Sequence, residues 1–540
     1  MSGYRDTAEH KGRVGRARRI VRALLAAGAG LLAAFAALAF AELASVAVRP
    51  QAAPVTAVGE AAIDRTPAAV KDFAVQHFGT DDKLVLQLGI LALLAAFALV
   101  LGVVALRWRA VGVAGVLAFG VLGAVAAASR PDAGTFDAVP SLVGTAVGAV
   151  LLYVLAGRLA WRSEPVAAEA GPEAVGTFDR RGFVLLALAA SAASAGVGVL
   201  GRALNDGKGA SAIASRGALT LPRPHSPAGP LPRGVDLGIP GLSPFTTPDA
   251  DFYRVDTALV VPEIDATTWQ LRIHGTGVAK ELTLGFEDLL ARALIERDIT
   301  LTCVSNEVGG PYVGNARWIG VPLADLLREA GVRAPSQGGP ADQLVARSVD
   351  GMAIGSPVET VLDGRDAMLA VGMNGQPLPF DHGFPVRMLV PGLYGYVSAC
   401  KWLRELELTT FADFDAYWVR RGWSDQAPIK TESRIDTPKP FARLAPGQTA
   451  VAGVAWAQHT GIERVEVRVD GGPWQLADLA AQDTTDTWRQ WVWHWQATAP
   501  GLHTLEVRAT DRNGYTQTGQ RVGTIPNGAT GWHSVVVSVT

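Results

Sequence analysis

Long uncharged segments alternate with short charged ones over the first two hundred positions of the chain. Five of these segments have about the length that an α-helix needs to cross a bilayer, and they lie at 23–41, 84–106, 110–129, 138–157 and 182–201. Buried helices of a soluble protein would not be expected to repeat this length five times in succession. The pattern therefore predicts a five-helix transmembrane region over residues 1–201.

The hydrophobic pattern changes after residue 201. Residues 202–244 are rich in Gly, Ser and Pro, which predicts a stiff, extended linker rather than a packed unit. Residues 245–437 alternate short strand-like segments with helical ones, the clearest of them at 286–294 and 323–330. This mixture, broken by Gly and Pro turns, predicts a compact α+β domain.

Residues 438–540 show the two-residue alternation of β-strands throughout. Turn sequences rich in Gly, at 470–472 and 513–514, separate the alternating segments and are typical of β-hairpins. We predict a sandwich of about a hundred residues, of the immunoglobulin-like type. One predicted strand carries a stripe of aromatic side chains on a single face, which we expect in a core or an interface rather than at a cofactor: Trp491, Trp493 and Trp495.

Basic residues predict the orientation of the five spans. They precede the first span, separate the second from the third, and separate the fourth from the fifth: Lys11, Arg13, Arg16, Arg18, Arg19, Arg22, Arg107, Arg109, Arg158, Arg162, Arg180 and Arg181. The positive-inside rule then places the N-terminus in the cytoplasm. An odd number of spans delivers everything after residue 201 to the outer side of the cytoplasmic membrane.

A pair of arginines precedes the fifth span. The sequence Asp-Arg-Arg-Gly-Phe-Val at 179–184 resembles a twin-arginine export signal, a route that carries proteins already folded around a cofactor. Two arginines at this place can equally be the inner-face anchor of a helix. Both interpretations stay open at the level of the sequence.

Composition narrows the possible functions. Hydrophobic residues make up 49% of the chain and charged ones 18%, as expected for a partly membrane-embedded protein, and the net charge of −2 argues against nucleic-acid binding. Two cysteines among 540 residues exclude a disulfide framework, a cysteine-ligated iron–sulfur cluster and a CxxCH haem site. None of the predicted spans contains a histidine, so we interpret them as an anchor or docking surface rather than a haem-based electron path.

One of the two cysteines is the leading candidate for chemistry. Residues 298–302 alternate polar and apolar side chains, so Cys303 should fall at the end of a strand, where a Gly- and Asn-rich loop begins. A cysteine at such a place could be a thiolate ligand of a metal, a nucleophile, or half of a disulfide with Cys400. Cys400 fits the role of a small buried residue better than that of a disulfide partner.

Two blocks carry a family resemblance. TLTCVSNEVGGPYVGNARW at 300–318 and MNGQPLPFDHGFPVRMLVPGLYGYVSACKWL at 373–403 resemble the sulfite-oxidase family of molybdenum-cofactor oxidoreductases, and HGFPVR and KWL are specific to it. The resemblance extends roughly from residue 245 to 540. It implies a molybdenum that takes two sulfurs from a pyranopterin dithiolene and one from a cysteine, the position that Cys303 matches.

The resemblance also implies which residues hold the cofactor. The pterin carries a phosphate, which calls for cationic and hydrogen-bonding groups. Arg254 suits an anionic substrate or the pterin and is also a catalytic candidate. The expected cofactor-binding residues are Tyr253, Arg254, Asn306, Asn374, His382, Arg387 and Lys401.

Departures from the family pattern bear on the substrate. Sulfite oxidases have an arginine five residues after the molybdenum cysteine, where this chain has Val308. The segment 351–356 lacks the expected tyrosine, and the loop at 456–460 lacks a further arginine. A pocket without these groups should bind a sulfite dianion poorly, so we do not predict sulfite oxidation.

The predicted fold is a five-helix transmembrane anchor, then an α+β sulfite-oxidase-type molybdopterin domain, then an all-β immunoglobulin-like sandwich. The favoured function is a membrane-anchored oxidoreductase that acts outside the cytoplasm on a small substrate by oxygen-atom or two-electron transfer. A separate quinone-linked protein or cytochrome would exchange its electrons, and the family implies a homodimer through the C-terminal domain. The alternatives are an exported methionine-sulfoxide-type reductase and a non-catalytic surface binding protein that kept a retired cofactor domain.

Overall fold

The computed structural model describes residues 3–67, 70, 73, 78, 82–130, 133–159 and 179–540. It divides into two compact units, one of Met1–Ala210 with Thr257–Val260 and the other of Ser211–Asp256 with Val261–Thr540. Most of the basic loop between the fourth and fifth predicted spans, including Arg162, lies outside the described residues.

The first unit is helical. Its helices are α1 (Gly3–Val46), α2 (Pro54–Arg65), α3 (Asp82–Ala105), α4 (Arg109–Ala128), α5 (Val139–Leu159) and α6 (Arg180–Ala218), the last of which continues into the second unit. Five helices in the described part of the chain are long and apolar enough to cross a membrane, namely all of these except α2. The prediction of five apolar helices is thereby confirmed, whereas the sequence pattern did not reveal α2.

Small residues let these helices approach closely. A Cβ added to Gly30 of α1 would lie 2.0 Å from the carbonyl oxygen of Ala98 in α3, and one added to Gly102 of α3 would lie 2.1 Å from that of Ala26. Backbone therefore meets backbone at this crossing, as is typical where helices pack in a membrane without larger side chains between them.

The predicted linker begins later than expected and is packed. Residues 202–218 continue α6, because they contain no proline and several alanines, which favour helix. Leu221 packs against the core of the second unit, and the backbone N–H of His225 donates to the carbonyl of Leu294 at 2.8 Å. Val235 is buried beside Phe245. The expectation of an unpacked linker over 202–244 is wrong in both respects.

An α+β region follows in the second unit, with two sheets around one large core. The first sheet has the order β2-β1-β10-β5-β6, and the second has the order β3-β4-β7-β8 with β9 paired to β7. The strands are β1 (Gln270–Gly275), β2 (Leu282–Gly285), β3 (Ile295–Thr302), β4 (Val313–Pro322), β5 (Gln343–Ser348), β6 (Ala353–Pro357), β7 (Met368–Met373), β8 (Gln376–Pro377), β9 (Arg387–Leu389) and β10 (Leu403–Thr409). The helices are short: α7 (Phe286–Leu290), α8 (Leu323–Glu329), α9 (Val358–Leu362) and α10 (Gly395–Ser398).

The C-terminal region is all-β, as predicted. Two sheets, β11-β13-β17-β16 and β12-β19-β18-β14-β15, share one hydrophobic core that contains Trp491 and Trp495, while Trp493 packs against it. The tryptophan stripe is therefore core, and the immunoglobulin-like type stays a prediction. The strands are β11 (Glu432–Thr437), β12 (Arg443–Leu444), β13 (Gly447–Trp456), β14 (Ile462–Val469), β15 (Gln475–Leu476), β16 (Asp478–Leu479), β17 (Arg489–Ala497), β18 (Gly501–Asp511) and β19 (His533–Val539).

Candidate functional site

Cys303 directly follows strand β3, as the alternating pattern predicts. Strands β3 and β4 pair antiparallel with Thr302 opposite Val313, so residues 303–312 form the loop that connects them. The N–H of Cys303 donates to the carbonyl of Tyr312 at 2.9 Å, and its own carbonyl accepts from the N–H of Asn306 at 3.0 Å. The thiol is thus held at the base of a loop whose backbone bonds keep it closed.

The second cysteine has a different environment. Cys400 is 2% exposed within the α+β core, and its Sγ lies 3.7 Å from the carbonyl oxygen of Ala346. Burial raises the pKa of this thiol, as expected for an inert structural cysteine. No disulfide joins it to Cys303, which removes that alternative.

Tyr253 lies close enough to Cys303 and Arg387 for both charges to act on its hydroxyl. Burial raises the pKa of its hydroxyl, the negative charge of Cys303 raises it further, and the Arg387 guanidinium opposes them. A Cβ built on Gly395 would lie 3.8 Å from the carbonyl oxygen of Thr302 and 4.0 Å from Tyr253 Oη. Three predicted site residues, separated widely in sequence, therefore face one small region at the N-terminus of α10.

Arg387 is a buried cation without an acid. It is 5% exposed, its Nη1 donates to the carbonyl of His382 at 3.2 Å, and its guanidinium carbon lies 5.1 Å from the ring centre of Trp318. Its Nε is buried without a hydrogen-bond partner among the described residues. Burial lowers its pKa to about 10. A cation in this position requires an anionic partner to offset its desolvation.

His382 belongs to a single 3-10 turn, Phe380–His382, within the HGFPVR block. Its Nε2 lies 3.0 Å from the carbonyl oxygen of Asp249, and Phe252 packs edge-on against its ring at 5.5 Å. Burial, followed by the charge of Arg387, lowers its pKa to about 4. His382 is therefore neutral at pH 7, a donor of one N–H rather than a second cation.

Arg254 and Lys401 share acidic partners. Lys401 Nζ lies 2.5 Å from Asp256 Oδ2, and Arg254 Nε lies 2.9 Å from the same carboxylate. Arg254 Nη1 also contacts Asp381 Oδ1 at 2.7 Å, whose backbone carbonyl accepts from Lys401 at 3.1 Å. These two predicted site residues form one ion-pair cluster. Arg387, in contrast, has no acidic partner among the described residues.

Asn374 connects the turn after β7 to the segment that leads to Tyr253. Its backbone φ of 49° is a left-handed value that asparagine tolerates better than most residues. Its Oδ1 accepts from the N–H of Arg317 at 3.0 Å, and its Nδ2 donates to Thr247 O and to Asp249 Oδ1. Asn374 and His382 therefore both position the backbone around Asp249.

The side chain of Asn306 bridges the loop that follows Cys303. It is 2% exposed, and its Oδ1 accepts from the N–H of Tyr312 at 2.8 Å. Its amide also faces the carboxyl group of Glu432. Burial raises the pKa of Glu432 to about 8, although the nearby Lys430 and Asn306 side chains act in the opposite direction.

Sequence reasoning missed two buried residues on this side of the site. Burial raises the pKa of the Tyr394 hydroxyl, and the electrostatic effects of Glu432 and Cys303 raise it further. Tyr394 lies inside the recognisable block at 373–403, which could have suggested it. Glu432 begins β11 in the all-β region and lies in an ordinary alternating strand, which gives no such signal.

The C-terminal sheets hold β3 and the loop after it. Gln458 Nε2 donates to the carbonyl of Thr300 at 3.1 Å and to Thr302 Oγ1 at 2.9 Å, and Arg434 Nη1 donates to the carbonyl of Gly310 at 2.7 Å. Gly309 has a φ of +83°, and a Cβ there would lie 2.3 Å from Nε2 of His533. We call these three side chains, Gln458, Arg434 and His533, the brace.

Known proteins resemble this site-bearing part of the chain. Residues 258–418 match the family described as "Oxidoreductase molybdopterin binding domain". The uncharacterized oxidoreductase YuiH of Bacillus subtilis is 32% identical over 159 residues, which cover 29% of this chain and 74% of that protein. Human mitochondrial sulfite oxidase is 30% identical over 343 residues, 55% of this chain and 62% of that protein. The chain belongs to the sulfite-oxidase family.

The extent of these matches is limited. The chain spans 53% of the length of mouse mitochondrial sulfite oxidase and 62% of the human protein. Among solved structures, the sulfane dehydrogenase SoxCD from Paracoccus pantotrophus is 26% identical, with a TM-score of 0.47, over 55% of this chain and 84% of that chain.

Family membership gives the cofactor predicted from the sequence, molybdenum bound to molybdopterin. The residues present fit the group. A cysteine thiolate is a soft ligand of the kind that redox-active metals take. Arg387, buried without an acid, suits the phosphate of the pterin through a charge-assisted hydrogen bond.

Proposed function

We propose that this chain is a membrane-anchored oxidoreductase that binds molybdenum through Cys303 and acts outside the cytoplasm on a small substrate. The observation that carries the proposal is Arg387, a buried guanidinium whose Nε has no hydrogen-bond partner among the described residues and whose charge, like that of Cys303, acts on Tyr253. A buried cation without an acid is costly in an empty protein. It becomes favourable when an anionic cofactor occupies the space beside it.

Each remaining residue has a proposed part in holding that cofactor. Arg387 binds the phosphate, and neutral His382 donates or accepts one hydrogen bond beside it. Lys401 and Arg254 present a cationic wall whose charge Asp256 and Asp381 partly offset. When bound, the cofactor supplies oxygen-atom or two-electron transfer, and the protein supplies binding, orientation and electrostatics.

Three more residues complete this proposal by supporting the others. Asn306 keeps the loop after Cys303 closed, and Asn374 positions the segment that leads to Tyr253. Tyr253 separates the thiolate from Arg387 and keeps water out of the space between them. These three residues act on the geometry of the cofactor pocket.

The substrate should be neutral or singly charged. Val308 stands where sulfite oxidases have an arginine, and Glu432, with a pKa of about 8, is protonated at pH 7 beside Tyr394. A protonated carboxyl and a phenol donate hydrogen bonds but provide no positive charge. Such a site favours an oxygen acceptor atom, as in a sulfoxide or N-oxide, over a dianion such as sulfite.

The proposed location follows from the five apolar helices and the basic residues beside them. With the N-terminus inside, the cofactor domain lies outside the cytoplasmic membrane. A separate quinone-linked protein or a cytochrome is the proposed electron partner. The division of the second unit into an α+β domain and an all-β domain, the immunoglobulin-like type of the sandwich and the dimer formed through it belong to the same proposal.

Metal and cofactor analysis tests this function. In protein expressed in a host that makes the cofactor, we expect about one molybdenum and one pterin per chain, and loss of the molybdenum–thiolate absorption in Cys303→Ser. Cys400→Ser, at the other buried thiol, is the matched control and should keep both. Protein without molybdenum from such a host would contradict the proposal.

A substrate screen with sulfite, sulfoxides, N-oxides and nitrate then identifies the reaction. We expect reduction of a sulfoxide or N-oxide by a dye electron donor to exceed oxidation of sulfite. Turnover of methionine sulfoxide above the others would establish the reductase alternative. Sulfite as the best substrate would contradict our assignment of the pocket.

A further inference from the structure

The helical unit contains a cavity of about 260 Å³ enclosed by α1, α2, α3, α4 and α5. Its lining is almost entirely apolar and includes Leu93, Phe97 and Leu101 of α3 and Phe119 of α4. An apolar cavity of about 150 Å³ in another protein is large enough to hold benzene. The present one can therefore hold a substituted ring with the first part of an aliphatic tail.

One polar group in the cavity lacks a partner. Ser141 and Thr145 of α5 both line it. Thr145 Oγ1 donates to the carbonyl of Ser141 at 2.6 Å within its own helix. Ser141 is 1% exposed, and its Oγ is buried without a hydrogen-bond partner among the described residues. A buried hydroxyl without a hydrogen-bond partner destabilises the protein by about 1–3 kcal/mol. A ligand whose acceptor atom bonded to this hydroxyl would remove that cost.

Glycines of the facing helix leave room beside this hydroxyl. A Cβ on Gly123 of α4 would lie 2.9 Å from Ser141 Oγ, and one on Gly120 would lie 2.1 Å from Thr145 Oγ1. Larger side chains at either place would cover the hydroxyl groups. The small residues therefore leave these hydroxyl groups beside the backbone of α4, with no side chain from those two positions over them, at one wall of an apolar cavity.

Part of the cavity lining reaches the surface of the helical unit. Leu93, Phe97 and Leu122 line the cavity and are 62%, 50% and 57% exposed. In helices that span a membrane, exposed apolar side chains at mid-helix face lipid. A long aliphatic tail could leave the cavity along this side and lie in the hydrocarbon region.

We propose that this cavity binds the ring of a lipid-soluble isoprenoid quinone, with the Ser141 hydroxyl donating to one ring carbonyl oxygen. A quinone combines the three features that the cavity requires: a flat apolar ring, one acceptor oxygen at its edge, and an aliphatic tail. The acyl chain of a phospholipid would fill the volume but would leave Ser141 Oγ unpaired.

A quinone at this place would act as electron partner of the same chain, in place of a separate protein, a role that rests on the proposed function. Reduction of a quinone to the hydroquinone takes up two electrons and two protons. One two-electron oxidation of a substrate supplies the two electrons, and water supplies the protons. In the direction of substrate reduction, the hydroquinone returns both electrons and releases two protons.

Binding can be measured independently of turnover. The full chain, purified in a mild detergent, is extracted with solvent for bound quinone and titrated with a short-tailed ubiquinone analogue by calorimetry. We expect co-purified quinone and saturable binding, with Kd raised about three- to tenfold in Ser141→Ala, the range that one neutral hydrogen bond provides. Ala34→Phe, which fills the cavity from α1, should abolish binding.

The control is Ser191→Ala in α6, whose hydroxyl bonds within its own helix to the carbonyl of Ala187 at 2.8 Å and should leave Kd unchanged. Equal affinity in Ser141→Ala and the unmodified chain would overturn the proposal. A stoichiometric phospholipid that the analogue does not displace would overturn it as well. Molybdenum is assayed in the same samples, so loss of quinone with molybdenum retained refutes this site alone, and quinone bound without molybdenum refutes only the proposed function.

Discussion

At the scale of single residues, replacing Arg387 should affect the stability of the fold and the binding of the cofactor differently. In the protein without cofactor its buried charge lacks an acid, so replacing it by an apolar side chain should not destabilise the fold. We predict that Arg387→Met loses at least nine-tenths of its pterin and molybdenum while its melting temperature without cofactor stays equal or rises. Metal analysis and thermal unfolding of cofactor-free protein measure the two effects.

Arg272→Met provides the control for Arg387, since Arg272 is exposed and pairs with Glu281 at the surface. It should leave the cofactor content unchanged. An Arg387→Met protein that unfolds easily but keeps its pterin would show that the guanidinium serves the fold instead.

The raised pKa of Glu432 predicts that the stability of the folded protein depends on pH. Its pKa is about 8 in the folded protein against an ordinary value of 4.5, so between these pH values the folded state binds more protons than the unfolded state. The contribution of Glu432 to stability is therefore fully present below pH 4.5 and decreases as pH rises to 8. Glu432→Gln should raise the melting temperature at pH 9 relative to the unmodified protein by several degrees more than at pH 5.

Thermal unfolding at the two pH values, without cofactor, measures this difference, which corresponds to a few kcal/mol at about 1.4 kcal/mol per pKa unit. Glu463→Gln, at an exposed position of β14, should show no such difference. A Glu432→Gln effect of equal size at both pH values would contradict the assignment of a protonated carboxyl.

At the scale of secondary-structure elements, the brace supports β3 from outside the α+β region. Gln458→Ala removes two hydrogen bonds and leaves Thr302 Oγ1 without its donor, which should cost about 1–3 kcal/mol. We also predict faster reaction of Cys303 with a thiol reagent in cofactor-free protein, because the strand end loosens. Thermal unfolding and the labelling rate measure the two effects.

Gln448→Ala, at an exposed position of β13, is the control for the brace and should change neither quantity. If Gln458→Ala left the labelling rate of Cys303 unchanged, the brace would not govern access to the thiol.

Local pattern explains which elements could be predicted. Uncharged length predicted the five apolar helices, and alternation placed Cys303 after a strand. The end of α6 was missed because Gly and Ser after residue 202 were given more weight than the absence of proline before 219. Glu432 was missed because its significance arises from burial beside Asn306, a contact between distant parts of the chain that no local pattern contains.

At the scale of the whole molecule, the odd number of spans in the proposed topology places the site on the outer side of the membrane. Native thiols give little background, because Cys303 and Cys400 are both buried. We predict that a membrane-impermeant maleimide labels Leu502→Cys, at a residue 74% exposed, in intact spheroplasts. Trp108→Cys, between α3 and α4, should be labelled only after lysis. The reverse pattern would contradict the proposed orientation.

The brace also sets an order of events during biosynthesis. Gln458 and Thr302 are 156 positions apart, and Arg434 and Gly310 are 124 apart, so the loop that carries Cys303 leaves the ribosome well before the side chains that hold it in place. The brace cannot be complete until translation has passed residue 533. On the growing chain this loop is therefore held only by its own hydrogen bonds, and the brace is added after the C-terminal strands have been synthesised.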